Sequence, residues 1–210
     1  MRFPFFASFI VFCIWLGYEL HKRRNIDSKN YEAFWDRERK ANSTRRKSLD
    51  SLKYIRIPME NFPFGLLGED ETAMEYEQTI RDLSEEPIVN LTGYSNTDLK
   101  LAYGAPNIDL LSLYDQRYTT LVCTLQDWSE LLYKKGFPKE AKTLLEFSVE
   151  TRTDVYASYE LLIRIYEENA ETDRIPALLS SAQEIRSLSK SRIVRLIEEH
   201  SNPESSFTCH

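Results

Sequence analysis

Between Tyr114 and Leu132 the residues Tyr114, Tyr118, Leu121, Val122, Leu125, Trp128 and Leu132 recur at helical steps of three and four. That spacing returns to one side of a helix with 3.6 residues per turn, so the region reads as one long amphipathic helix whose apolar side must be covered. The pattern then repeats along the chain. Gly136 stops the first helix and Pro138 opens a second, with Ala141, Leu144, Leu145 and Ser148 facing inward. A third, capped near Thr153 or Asp154, carries Val155, Tyr159, Leu162, Ile163 and Tyr166. A fourth, from about Asp173, carries Ile175, Leu178, Leu179, Ala182 and Ile185, and a last one, Ser191 to His200, shows Ile193, Val194 and Ile197. No such helix can bury its face alone, and the fold class expected is all-α.

Residues 125–153 resemble a tetratricopeptide repeat. Leu125, Trp128, Ser129, Leu132, Gly136, Ala141, Leu145 and Ser148 hold the large, small and glycine positions of that pattern. Thirty-four residues later stand Tyr159, Leu162, Ile163, Tyr166, Ala170, Ile175, Leu179 and Ala182. The second unit departs from the pattern: Ile163 replaces the small residue, Ile175 replaces the second-helix alanine, and no proline closes either unit. The resemblance covers about 64 residues and implies a C-terminal tetratricopeptide-like helical-repeat domain with the last helix capping the stack. In that family the first helix of each unit builds a concave binding face. Position by position, this implies a partner-binding face of Gln126, Glu130, Tyr133 and Lys134 with Glu160, Arg164, Glu167 and Glu168.

Charge divides the chain sharply. Residues 21–57 hold twelve Lys/Arg against five Asp/Glu, whereas residues 58–210 hold fourteen against twenty-seven. Such separation speaks of partners rather than of fold. Ahead of the basic stretch, Phe3 to Tyr18 carries no charge; as a helix those sixteen residues would span ~24 Å, short of the ~30 Å hydrocarbon core, with Leu20 and snorkelling Lys22 and Arg23 supplying the rest. Trp15 to Leu20 offers no pair of small residues for signal cleavage, and Cys13 lacks the small residues that precede a lipidated cysteine. The expectation is an uncleaved single-pass transmembrane anchor over residues 1–20. Lys22, Arg23, Arg24, Lys29, Arg37, Arg39 and Lys40 follow it, and the positive-inside rule then places the N-terminus outside and the C-terminal domain in the cytoplasm.

In the basic stretch Tyr31, Phe34 and Trp35 fall at i, i+3 and i+4, on one face of a helix beginning near Asp27 or Ser28. Two readings stay open. The segment is a juxtamembrane helix on anionic headgroups, with Lys22, Arg23, Arg24, Tyr31, Phe34 and Trp35 as membrane-surface contacts. Alternatively it is a linker helix whose aromatics pack on the later domain. Nucleic acid is not expected as a partner of a tethered, largely acidic chain. Pro58, Pro63 and the β-prone Tyr54–Ile57 run make residues 52–66 an extended connection along the domain. Glu69 to Glu86 reads as an acidic helix, and "PIVNLTGYSNTDLKLAYGAP" as a loop with a short helix capped by Asn96 or Thr97. The domains expected are thus 1–20 anchor, 21–67 basic helix and linker, 68–200 acidic helical domain and 201–210 flexible tail.

More broadly, "AFWDRERKAN", "NLTGYSNTDLKLAYG" and "LYDQRYTTLV" resemble uncharacterised single-pass membrane proteins of Gram-positive bacteria, a similarity that brings no activity with it. Three scattered cysteines and histidines at 21, 200 and 210 build no metal or disulfide framework, and no nucleophile–base or phosphate-cradling motif occurs. No enzyme activity and no cofactor are expected. The expected function is a membrane-anchored, non-catalytic scaffold or adaptor that presents its domain to an unidentified protein partner of basic character. The chain's own segment 37–56 is one candidate for that partner. The second reading is an extracytoplasmic envelope protein assisting cell-wall assembly or secretion.

Overall fold

The computed structural model describes residues 4–201, with side chains for all of these but 4–7 and 23–29. The expected tail and Cys209 lie outside the described residues. The described chain is helical throughout: α1 (Pro4–Asn42), α2 (Glu71–Ser84), α3 (Asn96–Tyr103), α4 (Ile108–Lys134), α5 (Pro138–Glu150), α6 (Tyr156–Glu168), α7 (Ile175–Gln183) and α8 (Lys190–Ser201). The nearest approach to a sheet is one isolated antiparallel bridge, Tyr54 to Val89. The all-α expectation therefore holds. The chain separates into two compact units, Met1–Ser48 with Ser95–Ile108, and Leu49–Tyr94 with Asp109–His210.

The expected transmembrane anchor is overturned. Among the described residues no helix is long and apolar enough to cross a membrane. The reason is that the apolar run gives way to charge too soon. The helix does not end with the apolar residues but runs unbroken to Asn42, and from Glu19 its sequence is dominated by charged and polar residues. The apolar stretch and the basic stretch are one element, with no helix start at Asp27 or Ser28. With the anchor go the single-pass description and the sidedness derived from it.

In the larger unit, α4 provides the axis. Leu121, Leu125, Trp128 and Leu132 are fully buried on one side of it. Against them pack Leu144 and Leu145 of α5 and Leu162 and Tyr159 of α6, all within one continuous core. The chain turns between α4 and α5 at Gly136 and between α6 and α7 near Ala170, both at positive φ. Helix α8 packs on α6 and α7 and buries Ile193, Leu196 and Ile197. Buried tyrosines are satisfied: the Tyr118 hydroxyl donates to the Thr151 carbonyl at 3.1 Å, and that of Tyr159 to the Thr153 carbonyl at 3.2 Å.

Residues 52–67 lie along this bundle as a strap. Ile55 donates its N–H to the Ile88 carbonyl at 2.9 Å. Phe62 is buried, its ring edge-on to Trp128 at 6.3 Å and to Phe147 at 5.5 Å. Phe64 meets Trp128 at 5.5 Å and is covered by the Arg81 guanidinium of α2, 4.2 Å from the ring centre. Edge-to-face aromatic pairs add about 0.5–1.5 kcal/mol each beyond the area they bury. Helix α2 is anchored beside the strap by Asp70, whose carboxylate caps Ala73 N–H and pairs with Lys135.

Two substitutions test this packing. Phe62→Ala should cost about 3–5 kcal/mol in a urea titration, because the strap then leaves a cavity against Trp128; a loss under about 1 kcal/mol would mean the strap is not part of the core. Ser148→Ala should act in the opposite direction. The Ser148 hydroxyl is fully buried with no hydrogen-bond partner among the described residues, so its removal should raise stability by about 1 kcal/mol.

Candidate interaction surface

Helical geometry places Gln126, Glu130, Tyr133 and Lys134 on the side of α4 opposite Trp128, at 100° per residue. They do not form a uniform face. Gln126 is turned inward and buried, accepting a hydrogen bond at 2.8 Å from the Ser158 hydroxyl of α6. It joins two helices rather than meeting a partner. Tyr133 is half-buried and donates to Glu168 at 2.6 Å, and this hydrogen bond, followed by burial, raises its hydroxyl pKa. Glu130 and Lys134 are exposed and pair with each other at 2.8 Å.

On α6, Glu160, Arg164, Glu167 and Glu168 form an exposed stripe. It lies on the opposite side of the helix from Leu162 and Tyr166, which are sunk in the core. Glu167 meets His200 of α8 at 2.6 Å. The surface is acidic but partly self-neutralised, with Glu160 left free of any charged partner among the described residues.

Two side chains of this unit, Asp115 and Cys123, have pKa values raised by burial. Asp115 has its carboxyl pushed up by burial, with Asp154 adding to the effect, yet its oxygen accepts the Leu91 N–H at 2.9 Å and so holds a loop. Cys123 on the same helix has its thiol raised by burial and by Asp127 and Asp154, which disfavours the nucleophilic thiolate. Among the described residues no cluster of His, Cys, Asp and Glu could hold a metal ion. An open depression of about 490 Å³ between the strap and α5 is lined by Asn61, Phe64, Leu66, Lys139, Glu140 and Thr143.

The loop 90–94 has a structural task that the sequence reading missed. The Asn90 amide donates to the carbonyls of Thr151 and Arg152, and the Tyr94 ring lies under the Arg186 guanidinium, 4.6 Å away. Gly93 sits so close to Arg186 that a Cβ would lie 2.5 Å from that residue's own Cβ. The glycine between Thr92 and Tyr94 is the signal that could have found it.

The smaller unit carries the other candidate residues. Helix α3 is capped by Ser95, not Asn96 or Thr97: the Ser95 hydroxyl accepts Asp98 N–H while the Asp98 carboxylate accepts Ser95 N–H. Its face binds the last turns of α1. Glu38 accepts from Thr97 at 2.6 Å and Lys100 at 3.0 Å, Arg37 pairs with Asp98, and Ala41 and Leu99 are buried. Gly104, at φ 96°, lets residues 104 and 105 lie against Arg45, where a Cβ would meet the Arg45 carbonyl oxygen at 2.2 Å. Within this unit the basic segment 37–47 docks on residues 95–107. Tyr31, Phe34 and Trp35 are exposed and contact one another edge-on. Lys22 is exposed, and the side chains of Arg23 and Arg24 lie outside the described residues.

Acid should loosen this smaller unit. The Thr97 hydrogen bond, then Lys100, holds the Glu38 carboxyl below the usual range. Hydrogen bonds from Ser95, then Arg37, do the same for Asp98. Carboxyls lowered on folding stabilise above their unfolded values, and that contribution is lost as pH falls through the folded ones. Hydrogen-exchange protection at Ala105 N–H, which donates to Thr44, should fall between about pH 5 and pH 3. Glu38→Gln should flatten part of that dependence, and an unchanged profile would remove Glu38 as its source.

No family model, curated protein or solved structure matches this chain. The tetratricopeptide resemblance and the likeness to Gram-positive membrane proteins gain no support from these comparisons.

Proposed function

We propose that this chain is a non-catalytic protein-interaction module whose larger unit offers the exposed α6 stripe, with the adjoining end of α4, to a basic segment of a protein partner. The observation that carries this reading is the stripe of Glu160, Arg164, Glu167 and Glu168, exposed on a helix whose opposite side is wholly buried. The Trp128 side of α4 is already covered by the chain's own strap. The Gln126–Ser158 bond fixes α4 against α6 and so holds the surface rigid. Rigid presentation lowers the ordering cost of binding, and the acidic excess of residues 58–210 favours capture of a positively charged partner. The chain's own segment 37–47 is engaged on α3 by backbone and side-chain bonds, which favours a partner in trans.

A Lys/Arg-rich fluorescent peptide serves as the probe. Its anisotropy with the full chain should show binding that weakens steeply with salt. Glu160→Lys combined with Glu167→Lys should reduce affinity by about tenfold or more while leaving thermal unfolding nearly unchanged. Equal binding by the doubly reversed chain would dispose of the α6 surface as the site.

A further inference from the structure

The least explained part of the molecule is the surface of α1. Phe9, Leu16, Leu20, Tyr31, Phe34 and Trp35 are all exposed. At 100° per residue they fall within an arc of about 100°. The same side of the helix carries Glu38 and Ala41 further on, where α3 covers it. The arc is thus the uncovered continuation of a face that is packed elsewhere. Apolar exposure is not confined to it: Val11, Ile14, Trp15 and Tyr18 stand exposed on other sides of the same turns.

We propose that α1 docks obliquely on an anionic lipid surface, its Phe9–Leu20 portion embedded in one leaflet and Tyr31, Phe34 and Trp35 at headgroup level, without crossing the bilayer. No described helix is long and apolar enough to cross a membrane, so the apolar portion of α1 is received by one leaflet. A helix apolar all round needs an apolar medium on every side, whereas pairing with a second copy along the arc would leave Val11, Ile14 and Tyr18 in water. Charge distinguishes the occupants further. The segment 21–57 is strongly basic, and Lys40, Arg45 and Arg46 are exposed with no carboxylate partner among the described residues. Two such segments repel each other, while an anionic surface attracts each Lys or Arg within a Debye length. Tyr and Trp rings, apolar with one polar atom, suit the headgroup layer. This inference is independent of the α6 surface and does not rest on it.

Flotation of the full chain with vesicles tests it, comparing phosphatidylserine–phosphatidylcholine mixtures with phosphatidylcholine alone. Binding should be tighter to the anionic vesicles and weaken with salt. Phe34→Ala with Trp35→Ala should lower affinity at least tenfold. Arg45→Gln with Arg46→Gln should lower it roughly fivefold per cation on anionic vesicles alone. Far-UV circular dichroism of both variants confirms that α1 remains helical. Bromine-labelled lipids should quench the exposed Trp15 and Trp35 and spare the buried Trp128, which single Trp→Phe variants assign. Undiminished flotation of the Phe34/Trp35 variant would overturn the proposal. So would self-association that is lost in that variant while vesicle binding is kept, or accessibility of the chain from both sides of sealed vesicles.

Discussion

The larger unit depends on the burial of Trp128. Its indole is fully enclosed, and three other rings and two chain segments converge on it: Phe62 and Phe64 from the strap, and Phe147, across Phe62, from α5. Large flat side chains exclude water from the centre of a helical hairpin while demanding specific neighbours at fixed angles. Once Trp128 is placed, α5 must lie to one side of α4 and the strap must cross over it. Helix α2 then follows, because Arg81 covers Phe64 and Asp70 reaches Lys135.

Polar bonds play the complementary part. Gln126 with Ser158, Tyr118 with Thr151 and Asn90 with Thr151 and Arg152 link segments distant in sequence. Each satisfies a group whose burial would otherwise cost about 1–3 kcal/mol. They give the bundle one register rather than a family of similar packings. In the smaller unit, where little apolar surface is buried, such bonds dominate: Thr97 and Lys100 on Glu38, and Arg37 on Asp98, hold α1 to α3. Those bonds, with that of Ser95 to Asp98, hold the Glu38 and Asp98 carboxyls of the smaller unit below the usual range.

Two kinds of exposed surface remain once the packing is satisfied, and their chemistry is opposite. One is acidic, on α6, rigid and backed by a buried core. The other is apolar and aromatic on α1, set in a basic stretch. The first is the surface proposed above for a protein partner, and the second the one proposed for a lipid surface.

The helices of the larger unit were legible in the sequence because burial on one side of a helix imposes its period on the residues. Leu125, Trp128, Leu132, Ala141 and Leu145 were all read as inward and all are fully buried. The extended strap was legible from Pro58, Pro63 and its β-prone run. Local sequence could not show which side chain reaches across the fold. Gln126 looked like a surface residue until Ser158 was found beside it, and the cap of α3 was Ser95 because Asp98 answers it from within the helix. The apolar opening misled for a different reason: α1 carries its apolar portion straight into charge, and no described helix is long and apolar enough to cross a membrane. Periodicity and composition thus determined where helices form and which sides they bury. Only tertiary structure decided which partners those sides meet, because contacts between residues far apart in the chain leave no period in it.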